Sequence, residues 1–263
     1  MTGAVIKQVL RADRKSIVWW LVGLVAVVLM YLSFYPSIAD NAQSWDKLLQ
    51  SLPKAFQGFI GPDYTSPPGY LQAEFFGSMG FVVILVLFVG RGIGAIAGDE
   101  SNGRSELVLA GPISRERYLL ERFGALIVDA VLVSTVIVVA LLALGPIFDL
   151  KVGIGPLIAG TASAVLGALV FGMVGFFVGA ATGNRGLALG VGAAIATAGF
   201  LYTLLSPIAQ SLSDLQFLSP CWQAFGYSPL VEGLDWGRLG TLVAEIVILL
   251  VGSLLLYRRR DLH

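Results

Sequence analysis

Three ionisable side chains, Arg91, Asp129 and Glu245, interrupt stretches of sequence that are otherwise apolar and uncharged. A lone charge in hydrocarbon costs roughly 3 kcal/mol or more, so such groups pair, face a wet cavity or carry ions. Arg91 stands seven residues before the end of its stretch at Gly98, and Asp129 six residues into the next, which begins at Phe123. At that shared depth we expect the two to pair across adjacent helices, either as an ion pair that fastens the helices or as part of a proton relay. Glu245 has no basic residue at its depth. It is expected to hydrogen-bond Tyr202, Thr203 or Ser206, or to keep its proton.

Other chemistries have little to work with. One cysteine, Cys221, and one histidine, His263, allow neither an intrachain disulfide nor a multi-Cys/His metal site. No H-E-x-x-H or G-x-S-x-G pattern occurs, and no G-x-x-x-x-G-K-[ST] loop is present to cradle ATP phosphates. We therefore expect no catalytic site and no cofactor in this chain. The run Gly92-Ile93-Gly94-Ala95-Ile96-Ala97 matches a dinucleotide fingerprint in form, but no soluble strand precedes it; small residues for helix packing explain it better. Lys and Arg number 17 against 17 Asp and Glu, so no net field points to nucleic acid.

The elements that position these residues are long apolar helices. Of 263 residues 56% are hydrophobic and 13% charged, against about 25% charged in soluble domains. Stretches long enough to span hydrocarbon run over Ile17–Tyr35, Phe75–Gly98, Phe123–Gly145, Val152–Ala181 (the span itself being 155–181), Leu187–Leu205 and Leu239–Tyr257. They are continuous rather than alternating, which excludes barrel strands. The prediction is an all-α polytopic membrane protein, a single domain over 1–263 with six transmembrane helices. Ile17–Tyr35 is 19 residues long, beyond the roughly 7–15 of a signal peptide's apolar region, so it is expected to be retained despite the small residues at Ser37-Ile38-Ala39.

Six crossings put both ends on one side. With both termini cytosolic, 13 of the 17 basic residues lie inside, and only Lys47, Lys54, Lys151 and Arg238 outside. Residues 1–16 carry Lys7, Arg11, Arg14 and Lys15 at helical spacing opposite Val5, Val9 and Leu10. That is the pattern of an interfacial elbow helix, or of a basic flank obeying the topology rule. Two outer segments, Pro36–Glu74 and Ser206–Arg238, are rich in Pro and aromatic residues, and 206–238 is expected to be re-entrant. Glycines 172, 175, 179 and 183 fall near one face of the fourth span and suit close helix approach.

The densest charge lies in the connection 99–122, DESNGRSELVLAGPISRERYLLER. Asn102-Gly103 predicts a turn, the residues through Leu109 a short helix, Gly111-Pro112 a stop, and Ser114 the cap of a helix entering the third span. A short helix held crosswise beneath a bundle is placed to receive force from a soluble partner; alone, it would be a solvated hairpin.

At these residues the chain resembles the ABC type-2 transporter permeases. The likeness rests on Glu100, Gly103, Glu106-Leu107, Leu109, Pro112, Ser114-Arg115, Leu119 and a basic residue at Arg122, where the family often has Lys. It extends to the amphipathic elbow, Ser219-Pro220 before the last span, and the Arg259-Arg260-Asp261-Leu262 tail. The resemblance implies the permease subunit of an ATP-driven exporter in the plasma membrane, moving a drug, lipid, glycan or peptide. Its partners would be a second permease, identical or related, and two copies of a separate ATP-binding subunit, which holds ATP and Mg. Glu100, Gly103, Arg104, Glu106, Leu107, Leu109, Pro112, Ser114 and Arg115 would meet that subunit. The first and fifth spans would form the dimer contact and border a substrate path along Trp20, Met30, Phe34, Tyr202 and Leu205, although Trp19, Trp20, Tyr31 and Tyr35 also read as membrane-interface anchors. Outside this family, the alternative is an ion-coupled secondary transporter or channel using Arg91, Asp129 and Glu245.

Overall fold

The computed structural model describes residues 4–52, 63–206 and 215–260. Lys54, Asp261, Leu262, His263 and parts of both long outer segments lie outside the described residues. The described helices are α1 (Ala4–Ala12), α2 (Arg14–Asp40), α3 (Ala42–Ser51), α4 (Pro67–Tyr70), α5 (Met79–Ser101), α6 (Arg104–Leu109), α7 (Arg115–Phe148), α8 (Ile154–Thr182), α9 (Arg185–Leu205), α10 (Pro220–Phe225), α11 (Pro229–Glu232) and α12 (Trp236–Arg259). No strand occurs among the described residues. Six of the helices, α2, α5, α7, α8, α9 and α12, are long and apolar enough to cross a membrane.

Helix α8 is the axis of the bundle. Its most apolar stretch is 72% buried, against 22% for α2, 17% for α9 and 22% for α12. It packs against α5, α7, α9 and α12, and the reason lies in its small residues. A Cβ at Gly172 would sit 2.6 Å from the Phe88 carbonyl oxygen, and one at Gly92 would collide with the backbone of Gly172. The two helices thus cross backbone to backbone, so the Gly92 run is a crossing point between spans. Further along α8, Gly175 faces Ile93 and Gly179 faces Ala97. Gly183 then ends the helix at φ +65°, a conformation that favours glycine.

Several boundaries differ from those expected, and two of the differences have a plain physical reason. The first long helix runs through Pro36 to Asp40 instead of ending at Tyr35, because one missing N–H inside a long apolar helix is tolerated. The second begins at Met79 instead of Phe75: Phe75 and Phe76 belong to a π-helical turn, Leu71–Phe76, that breaks at Gly77. Tyr70, the last residue of α4 and the one just before this turn, donates to the Tyr31 carbonyl at 2.9 Å, fixing the turn to α2. Nearby, burial and a hydrogen bond to Glu74 push the Tyr64 hydroxyl above the usual phenol range.

Residues of the segment before the last span reach the middle of the bundle. A Cβ at Gly167, about midway along α8, would meet the Ala224 Cβ of α10 at 2.9 Å. Arg238 pins this segment to the start of α12, its guanidinium lying 4.0 Å from the Trp222 ring and 4.7 Å from that of Tyr227.

Candidate functional site

The opposite end of the bundle, where both described chain ends lie, is held by charge. Two α1 backbone amides, those of Val5 and Ile6, donate to Glu121 Oε2 at 2.8 and 3.3 Å, so a carboxylate from α7 satisfies the orphan donors of the α1 N-terminus. Val5 and Val9 are buried while Lys7 and Arg11 are exposed. A break at Asp13 then turns the chain into α2.

Arg91 sits between two carboxylates. Its Nη2 and Nε lie 2.6 and 2.7 Å from Asp129 Oδ2, and its Nη1 lies 2.6 Å from Asp13 Oδ2. The Asp129 side chain is 1% exposed and that of Asp13 32%. Arg91 and Asp129 therefore meet across α5 and α7, and the hinge residue Asp13 joins them. The sequence did carry a signal for Asp13: it is the lone acid among Lys7, Arg11, Arg14 and Lys15.

A second cluster closes the connection. Asp99 at the foot of α5 forms a buried ion pair with Arg122 and accepts from the Tyr118 hydroxyl at 3.0 Å. Arg122 Nε also donates to the Ala95 carbonyl at 2.7 Å, beside a π-helical turn at Gly94–Gly98. Such turns shift the usual backbone ladder. Glu100 pairs with Arg260, whose Nη1 donates to the carbonyls of Gly179 and Ala180 at 3.1 and 3.0 Å, while Arg115 Nη1 donates to the Arg260 carbonyl at 2.7 Å. Arg258 pairs with Glu116. The feet of α5, α7, α8 and α12 are thus tied together, with α6 hanging beneath.

Gly103 makes the turn into α6 at φ +68°, and Ser114 caps α7 by accepting from the Arg117 amide at 3.3 Å. On α6 and its flanks Arg104, Glu106 and Pro112 are exposed, Leu109 is half-buried, and Leu107 is 79% exposed. Glu100 and Arg115, in contrast, are engaged within the chain.

At the far end Glu245 meets a side chain that the sequence did not single out, Gln223. Its Oε1 accepts from Gln223 Nε2 at 2.9 Å, and Thr241 donates to Gln223 Oε1 at 2.8 Å. Helix α10 packs against both α9 and α12 and brings Gln223 to the carboxylate. Thr203 bonds Ser219 instead, at 3.1 Å. Met30, Phe34 and Leu205 are exposed on α2 and α9, and α5 packs against both of these helices. One chain alone does not enclose them.

A family model described as ABC-2 family transporter protein matches residues 4–262. The chain belongs to this family. A comparison with curated proteins gives no match. An ABC-2 chain is a multi-pass membrane subunit of an ABC transporter, and such permeases generally lack an ATPase site of their own and work with an ATP-binding subunit. In this permease, among the described residues, α6 and its flanks present exposed side chains beside the tied base.

Proposed function

We propose that this permease is the membrane half of an ATP-driven exporter in the plasma membrane, with both termini cytosolic and α6 seated on a separate ATP-binding subunit. The observation that carries this reading is Leu107, a large apolar side chain 79% exposed on a short charged helix. An exposed leucine of that kind is a natural anchor for a partner's pocket. Glu106, Arg104 and Pro112 form its rim, while Glu100 and Arg115 act behind the contact by holding α5, α7 and α12 to it. Movement of the ATP-binding subunits on ATP and Mg binding would then tilt three spans at once. The functional unit is a pair of permeases and two ATP-binding subunits, with the exposed faces of α2 and α9 meeting the second permease and Trp20, Met30, Phe34, Tyr202 and Leu205 bordering the path. A drug, lipid, glycan or peptide is the cargo.

Ion coupling through Arg91, Asp129 and Glu245 is the weaker reading, because Arg91 is neutralised by two carboxylates and Glu245 is bonded to an amide. The test is co-purification: wild-type permease should retain its ATP-binding subunit through detergent extraction, and Leu107→Asp should lose it while extracting in equal yield. Equal retention by both proteins would reject the assignment.

A further inference from the structure

A cavity of about 390 Å³ opens at the charged base between α1, α2, α5, α7 and the start of α9. Along α5 its lining runs from Val86 to Asp99, which is roughly 20 Å of helix. The end nearer the middle of α5 is apolar, lined by Trp20, Val86, Leu87 and Leu126, and the end nearer the foot of α5 is lined by Arg104, Arg122 and Arg185 with Asp99, with Arg91 and Asp13 between them.

The charges along the lining do not cancel. Arg91 is held by Asp13 and Asp129, and Arg122 by Asp99. Arg104 lies 4.0 Å from the other Asp99 oxygen with its side chain 59% exposed. Arg185, the first residue of α9, is exposed and has no ion pair among the described residues. Four guanidinium groups against Asp13, Asp99 and Asp129 leave one positive charge in excess, and Arg104 and Arg185, from different elements, are the exposed ones beside the apolar slot. Guanidinium forks match phosphate oxygens in geometry, and a basic pocket between spans at the cytosolic surface suits an anionic headgroup. The slot beside the two arginines is lined for a hydrocarbon chain.

We propose that this cavity binds an anionic phospholipid of the cytosolic leaflet, its phosphate held by Arg104 and Arg185 and an acyl chain lying along Trp20 and Val86. The lipid bridges the first residue of α6 to the first residue of α9, two elements that share no ion pair among the described residues. Membrane charge is thereby linked to the position of the connection. The proposal rests on the orientation given above. A binding assay in detergent reads the site whichever way the chain lies, so its failure would leave the permease reading intact.

The test is native mass spectrometry of the purified, delipidated permease in neutral detergent, titrated with dioctanoyl phosphatidylglycerol, dioctanoyl phosphatidylcholine or inorganic phosphate. Wild type should take one phosphatidylglycerol per chain roughly tenfold more tightly than phosphatidylcholine, and inorganic phosphate should not displace it. The double variant Arg104→Gln/Arg185→Gln should bind both lipids equally, with an unchanged melting temperature in lipid-free detergent. Equal affinities in the wild type overturn the proposal whatever the variant does. Displacement by inorganic phosphate at matching concentration replaces the lipid with a small anion, and a variant that keeps the headgroup preference removes Arg104 and Arg185 from the site.

Discussion

Asp99 and Arg122, the first and last residues of the connection, form a buried ion pair with each other, so the segment that carries α6 is clamped shut at its base. The Tyr118 hydroxyl strengthens the clamp from the Asp99 side and the Ala95 carbonyl from the Arg122 side. A load on α6 is passed to α5 and α7 together. Removing one partner leaves the other charge buried and alone, which costs about 3–5 kcal/mol. Arg122→Ala is therefore expected to lower the melting temperature in detergent strongly, and Asp99→Ala/Arg122→Ala to lower it by less than the sum of the single changes. Strictly additive effects would show that the two charges do not act as a pair.

The two carboxylates on Arg91 should differ in weight, because their exposures differ. Asp129→Asn removes the partner that is 1% exposed and should cost roughly 2–4 kcal/mol. Asp13→Asn removes the one that is 32% exposed and should cost about 1 kcal/mol or less. Thermal unfolding of the two purified variants gives the order, and Asp13→Asn proving the more damaging would contradict it.

Helix crossing at Gly172 leaves no space for a side chain. Gly172→Val is expected to force α5 and α8 apart, costing about 2 kcal/mol or more and cutting membrane abundance. Gly90→Ala is the control, since a Cβ there meets no atom within 4 Å. Comparable abundance of the two variants would rule out the crossing as a stability determinant.

Glu245 and Gln223 form a link that the neutral amide can supply on its own. Glu245→Gln is expected to keep wild-type stability, whereas Gln223→Ala strips the carboxylate of its donor and should cost about 1–3 kcal/mol. Export lost in Glu245→Gln at normal abundance and melting temperature would instead make the carboxylate a functional group.

The six long helices were legible because hydrocarbon demands continuous apolar runs, and the connection was legible through its turn and cap residues, Gly103 and Ser114. The Arg91–Asp129 contact could be read from matched depth alone. The third member, Asp13, was hidden, because its place beside Arg91 depends on how α1 folds back onto α7 through Glu121. Gln223 was hidden for a related reason: no periodicity foretells that the segment before the last span packs against both α9 and α12. Glu100 and Arg115 looked like partner contacts in the sequence, yet both bind Arg260, more than 140 residues away in the chain. The π-helical turns at Leu71–Phe76 and Gly94–Gly98 have no signature in apolar patterning, and they account for the late start of α5 and the geometry around Ala95.

The most direct test of the coupling account is cysteine-directed cross-linking from position 107 in native membranes. Cys221, the single native cysteine, is fully buried, so Leu107→Cys supplies the reactive thiol. The account predicts a cross-link from Leu107→Cys to the ATP-binding subunit that changes in yield when ATP and Mg are added. Labelling of that thiol by an impermeant maleimide from outside intact cells, with no cross-link to a cytosolic subunit, would contradict it.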